Sequence, residues 1–361
     1  MAMHSVPLAI GLDLGGSKVA GGVVDGTGAV VERLATSPAE AHTPEDVLRT
    51  VLDIVAGVRR RHAVDGIGIG VAGLVDWPAG RVRWSFNTGY DGMELRRLVA
   101  DATGLRVVVD NDANAAAWGE AYPPGGAGLA GSLRSLRPRL PADSAPVAPR
   151  QTPDSAGPGA ADGYLAMLCV GSGLGGGFVL GGEVYRGATG IGAEIGHLPV
   201  DSGSTELCGC GCGLAGNLGT LACGPALARA ARRAAAADPD GLIARLGRGP
   251  QGVTGQTATE AARLGDPAAR ELFARMGHWL GVGASVLVTL LDLRRIVVGG
   301  GLVAASDLYL DQMRETMRRH TFAHEHRELP SITPARLGAE AGWVGAGLLA
   351  LHRPPPTTGE R

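Results

Sequence analysis

Two stretches of this chain share one design. LDLGGSKVAGGVV (12–24) and VGSGLGGGFVLGG (170–182) each read as an apolar strand, a glycine-rich turn and a second apolar strand. An echo of this kind, about 160 residues apart, predicts two similar α/β domains facing one another. The length of 361 residues fits two domains, and 59 glycines predict many tight turns and close backbone approaches.

The pattern between the echoes supports this. Residues 7–35 read as a β-meander. Thr43 is an N-cap candidate, with Pro44 at the first helical position and Val47, Leu48, Val51, Leu52, Val55 and Val58 at helical spacing. A strand at 66–73, a helix from Met93 and a strand at 106–110 follow. Residues 122–162 are rich in Pro, Gly, Ala, Ser and Arg without an apolar period, and read as a disordered insertion or linker. Beyond the second echo, helices are expected at 225–237, 267–291, 306–319 and 340–351, with strands at 294–301 and 331–337.

Bulk properties exclude several classes. A net charge of −2 offers no electrostatic case for nucleic acid or an anionic membrane. The N-terminal residues do not read as a signal peptide, and the apolar run near Trp279–Leu291 has the length of a buried helix. Three of the five cysteines fall within five residues, which suits a reducing cytoplasm better than a secreted disulfide scaffold.

Backbone N–H groups in a glycine turn can hold a polyphosphate. Asp13-Leu14-Gly15-Gly16-Ser17-Lys18 is such a turn, with Asp13 placed for magnesium or its water shell. Lys18, the only lysine in the chain, can offset phosphate charge. Gly171-Ser172-Gly173-Leu174-Gly175 is a second turn. The junction Val298-Gly299-Gly300-Gly301 is a third, suited to the adenosine half of a nucleotide. Plain glycine turns are the alternative for all three. Gly68-x-Gly70-x-x-Gly73 fits a dinucleotide fingerprint, but LVDWPAG after it does not open a helix. No GxxxxGK[ST] is present.

Asp112 sits where a strand passes into a helix. It is placed either to accept a proton from an attacking hydroxyl or to cap the helix, and Asn111 could hold a neighbouring sugar hydroxyl. His197, Cys208, Cys210 and Cys212 make up a complete tetrahedral zinc shell, with a reduced metal-free cluster as the alternative.

In this order, DLGGSK, DNDAN, LCVGSGLGGGFVLGGEVYRGATGIGAEIGH (168–197) and VVGGG resemble the ROK family of bacterial sugar kinases and repressors over nearly the whole chain except 122–162. The resemblance implies an α/β actin-like ATPase (ribonuclease H-like) fold with two domains and a central cleft. It implies residues 1–121 as one domain, completed by helix 340–352, and residues 163–339 as the other, bearing the His/Cys segment 197–217. It implies an ATP- and magnesium-dependent hexose kinase of glucokinase type, acting on the 6-OH of glucose or a related aldose, and a homodimer. Asp112 would be the base. Asn87, Asn111, Glu194 and His197 would contact the sugar, and His197 would also ligate structural zinc.

Two positions depart from the family pattern C-x-C-G-x-x-G-C-x-E. Asn217 stands for the third zinc cysteine, which Cys208 can replace from upstream, and Gly219 stands for a sugar-binding glutamate. Losing that charged hydrogen bond removes about 1.5–3 kcal/mol. It opens the choice of sugar to an N-acetylhexosamine or fructose, or leaves a sugar sensor without turnover. A repressor would need a DNA-binding segment before Asp13, for which this sequence has no room.

Overall fold

The computed structural model describes residues 6–15, 18–35, 37–38, 43–85, 91–122 and 163–352. Gly16, Ser17, Asn87 and nearly all of the 122–162 insertion lie outside the described residues, as does the side chain of Lys18.

The first sheet comprises β1 (Leu8–Leu14), β2 (Lys18–Asp25), β3 (Val30–Arg33), β4 (Ser37–Pro38) and β5 (Gly66–Val71), with β6 (Leu74–Asp76) and β7 (Arg81–Trp84) forming a separate hairpin before β8 (Arg106–Asn111). Its order is β3-β2-β1-β5-β8, with β4 on β2. The second sheet comprises β9 (Tyr164–Val170), β10 (Leu174–Leu180), β11 (Glu183–Tyr185), β12 (Arg295–Gly299) and β13 (Ser331–Pro334), ordered β11-β10-β9-β12-β13. In each sheet an antiparallel meander of three strands is extended by two strands parallel to the first. The echo in the sequence is therefore an echo in topology, as the resemblance implied.

Helices α1 (Pro44–Arg59), α2 (Leu95–Thr103) and α3 (Asp112–Ala121) belong to the first half. Thr43 caps α1 by accepting from Asp46 N, and Val47, Val51, Val55 and Val58 are buried. Each such valine contributes roughly 1.5–3 kcal/mol of apolar burial. The second half carries α4 (Leu218–Leu221), α5 (Gly224–Ala237), α6 (Leu242–Leu246), α7 (Gly255–Arg263), α8 (Pro267–Leu291) and α9 (Leu310–His320). Helix α8 is long and apolar enough to cross a membrane by length and composition. Here it packs on α9 and buries Phe273, Met276, Leu280, Ala284, Leu287 and Val288.

The closing helix α10 (Ala341–His352) returns to the first sheet and packs on β1, β5 and α3. With α3, which also packs on β9 and β10, it fills the layer between the two sheets. This contact is made backbone to backbone. A Cβ on Gly345 would stand 1.7 Å from the Ala115 oxygen, and one on Gly68 1.8 Å from the Ala346 oxygen. Only glycine permits such an approach.

Candidate active site

The strand register assembles the acidic side chains. Asp13 on β1 pairs with Gly70 on β5, which pairs with Asp110 on β8, so the carboxyl ends of three parallel strands lie side by side. Clefts beyond such strand ends are where α/β sheets bind ligands. Gly70 leaves room there for α3, since its Cβ would lie 3.3 Å from the Asp112 Cα.

Asp112 opens α3 and accepts from Ala113 N at 2.8 Å. Burial, and then the charge of Asp13, push its carboxyl up to about 7, with Glu194 adding to the effect. Glu194 is solvent-accessible, yet the protein around it desolvates its carboxyl enough to raise its pKa as well. Three carboxyl groups from three separate segments thus share one electrostatic environment. Cys169 on β9 feels it too: burial raises its thiol, and Asp112 and Asp13 raise it further. Such a grouping marks a site for proton transfer or cation binding.

Asn111, not Asp112, is the N-cap of α3. Its Oδ1 accepts from Ala113 N at 2.9 Å and Asn114 N at 3.1 Å, and its Nδ2 donates to the Gly73 oxygen at 3.1 Å. The amide expected to hold a sugar hydroxyl is thus engaged in fixing the helix start.

The second and third glycine turns meet on the other side. Gly171 N donates to the Gly173 oxygen at 2.9 Å, and a Cβ on Gly171 would lie 3.4 Å from Gly301 N. Gly224, at the start of α5, donates to the Gly171 oxygen at 2.8 Å. A Cβ on Gly173 or Gly301 would meet nothing within 4 Å, so both backbones border open space. This cradle of backbone groups suits a polyphosphate. Gly175 contacts the acidic side instead, its Cβ position lying 3.5 Å from the Ala113 Cβ. Gly299 faces the packed interior, since a Cβ added there would stand 2.4 Å from Met167 and 3.1 Å from Ala335. Of the first turn, Asp13 and Gly15 are described, and a Cβ on Gly342 in α10 would reach the Asp13 carboxylate at 2.7 Å.

His197 ends a 3-10 turn (Ile195–His197), and the cysteines lie in a loop clipped by bridges Pro199–Asn217 and Leu207–Ala215. The ligand atoms of His197, Cys208, Cys210 and Cys212 all lie within 4.8 Å of one another. Cys208 and Cys210 sulfurs are 3.1 Å apart, and Cys212 Sγ is 3.8 Å from His197 Nδ1. Gly211 and Gly213 take φ of +79° and +75°, which turns alternate residues to one side. Three thiols and an imidazole at this spacing fit zinc. Asn217 keeps its place beside the cluster, its Nδ2 3.5 Å from His197 Nδ1, while its Oδ1 caps α4 through Thr220 N. Gly219 adjoins the loop of Glu194 and His197, its Cβ position 3.1 Å from the Gly196 oxygen.

One part of the site escaped sequence reading. Asp110 and Arg186, both buried, form an ion pair with Nε to Oδ2 at 2.7 Å, and the guanidinium lies 3.7 Å over the Trp77 ring. An arginine just after a short strand carries no local mark of burial. A separate groove of about 500 Å3 between α5, α8 and residues 201–206 holds none of the carboxyl groups of the site.

The sequence pattern of the ROK family matches residues 9–130 and 159–353. A glucokinase of Streptomyces coelicolor is 34% identical over 354 residues, covering 96% of this chain and 99% of its own. Among solved structures, a ROK family glucokinase from Streptomyces griseus in complex with glucose and AMPPNP superposes with a TM-score of 0.76 at 34% identity, covering 95% of this chain and 99% of the other. The ROK hexokinase of Thermus thermophilus gives 0.71 at 32% identity, covering 95% and 98%. The fold is that of the actin-like ATPases.

Proposed function

The chain belongs to the ROK family and is a sugar kinase, and on that premise we propose that it transfers the terminal phosphoryl group of ATP to a hexose hydroxyl, as a glucokinase acting on the 6-OH. The observation that carries this reading is Asp112, whose carboxyl is pushed up to about 7 at the junction of the acidic strand ends and the second glycine hairpin.

Asp112 accepts the proton as the sugar oxygen attacks the terminal phosphorus. The bond from that phosphorus to its bridging oxygen breaks, and ADP leaves with the electron pair. A base titrating near neutrality is ionised often enough to accept a proton and basic enough to pull it. Backbone N–H groups of Gly173, Gly300 and Gly301 hold the nucleotide, while Gly171 N closes the second turn on the Gly173 oxygen, and Gly15, Gly16, Ser17 and Lys18 contact the phosphates. Asp13 would hold magnesium, which offsets phosphate charge when bound. Asn87, Glu194 and His197 hold sugar hydroxyls, and Asn111 steadies the start of α3. His197, Cys208, Cys210 and Cys212 would hold a structural zinc that fixes the His197 ring.

Gly219 favours a wider choice of sugar, because no carboxylate there can select one hydroxyl. A coupled ADP-release assay over glucose, mannose, fructose and N-acetylhexosamines tests both points. Turnover that vanishes in Asp112→Ala supports the kinase, and the best substrate names the sugar. Sugar binding with no turnover on any member would replace the kinase by a sensor.

A further inference from the structure

The ion pair between Asp110 and Arg186 joins the two halves of the molecule at the site. Asp110 is the penultimate residue of β8 in the first sheet, two residues before Asp112. Its Oδ1 accepts from Asn111 N at 2.9 Å and from Asn114 Nδ2 at 3.1 Å, so it organises the first turn of α3. Arg186 follows β11 of the second sheet. Its Nη2 lies 2.6 Å from Asp110 Oδ2, and its Nη1 donates to the Val184 oxygen at 3.3 Å.

Arg186 also starts the loop that bears Glu194 and His197. Its own carbonyl accepts from Gly192 N at 2.9 Å, which closes the loop on itself just before Ala193. Ala193 is held at φ +71°, a left-handed conformation unusual for alanine. The loop is pressed on the Trp77 segment as well, where a Cβ on Gly190 would stand 2.5 Å from Trp77 N. Asp110 is 3% exposed and Arg186 9% exposed, so each charge depends on the other.

We propose that Arg186 is a positioning residue for phosphoryl transfer: locked on Asp110 and over Trp77, it sets the start of α3, with Asp112, against the loop carrying Glu194 and His197. The inference rests on the kinase reading. It predicts a selective defect, because the tie concerns the base and the sugar loop. The nucleotide-side glycines Gly171, Gly173, Gly300 and Gly301 lie on other connections. Displacing a reacting group by about 1 Å costs on the order of a hundredfold in rate.

The test uses the full chain, with parent and variants assayed side by side for ADP release while folding is followed by circular dichroism. Arg186→Gln is expected to lower kcat by about tenfold or more and to raise KM for the sugar about threefold, with KM for ATP within about twofold. A merely structural role lowers the folded fraction, and so the apparent kcat, and leaves both KM values alone. Arg186→Lys keeps the charge pair but gives up the fork that reaches Asp110 and Val184 together. It is expected to show the same split at about a third of the size, and it decides the matter if the glutamine variant does not fold. A folded variant with kcat and sugar KM within about twofold of the parent overturns the proposal, as does an equal rise in both KM values. A parent with no turnover on any sugar overturns the kinase reading, and this proposal with it.

Discussion

The carbonyl oxygen of Ala113 stands 2.3 Å from where a Cβ on Gly177 would be. Strand β10 of the second sheet therefore lies directly on the first turn of α3, next to Asp112. The second hairpin and the candidate base are packed as one unit, although 64 positions separate Ala113 from Gly177 in the chain.

Gly177→Ala should push β10 off α3. Overpacking of this kind costs about 1–3 kcal/mol, and backbone is the obstacle here, so relaxation is limited. Thermal unfolding should fall by several degrees, and kcat should fall in the fraction that remains folded. An alanine variant as stable and active as the parent would show that the two elements are free to part.

Asp112→Asn should lower kcat by about a hundredfold to ten-thousandfold with sugar binding preserved, the usual range for a lost general base. In the parent, kcat/KM for the sugar should fall below about pH 7 as Asp112 takes up its proton. Stability carries the matching sign. The folded pKa lies above the ordinary value of 3.8, so the contribution of the protonated carboxyl is complete below that value and is lost as pH rises through about 7. The asparagine variant should melt above the parent at pH 8, with the gap closing toward pH 4. Melting curves of both proteins across this range check it.

Gly300→Ala should raise KM for ATP and spare KM for the sugar. Gly300 holds φ +82°, and its added Cβ would stand 2.6 Å from the Val170 oxygen, beside the open edge of the second turn. Initial rates at varied ATP and varied sugar separate the two constants. Equal change in both would place the third glycine junction away from the nucleotide.

Elemental analysis should find about one zinc per chain, lost in Cys208→Ser and retained in Cys169→Ser. Burial pushes the Cys208 thiol up, but hydrogen bonds involving Cys210, Asn217 and Cys212 outweigh it and hold the thiol below its usual range. Burial and then Cys208 push the Cys210 thiol up to about 12 when no metal is present. Zinc retained at full occupancy in Cys208→Ser would remove Cys208 from the ligand set. Loss of metal should also lower the melting temperature, because the loop 198–217 closes on the cluster.

Much of this molecule was readable from short stretches of chain. The paired strand–glycine–strand units, the cap and valine stripe of α1, the strand-to-helix junction at Asp112 and the His/Cys segment all rest on backbone preference and side-chain period within a few turns. Such information is local, so the sequence alone determined where these elements begin and which chemistry each could bear. Tertiary packing decided the rest. It brought Asp13, Asp112 and Glu194 into one electrostatic environment, gave the cap of α3 to Asn111 and turned Gly299 inward. It also matched Arg186 to Asp110 across 76 positions. A buried charge selects its partner by distance and desolvation in the assembled fold, and neither quantity is written in the spacing of residues along the chain.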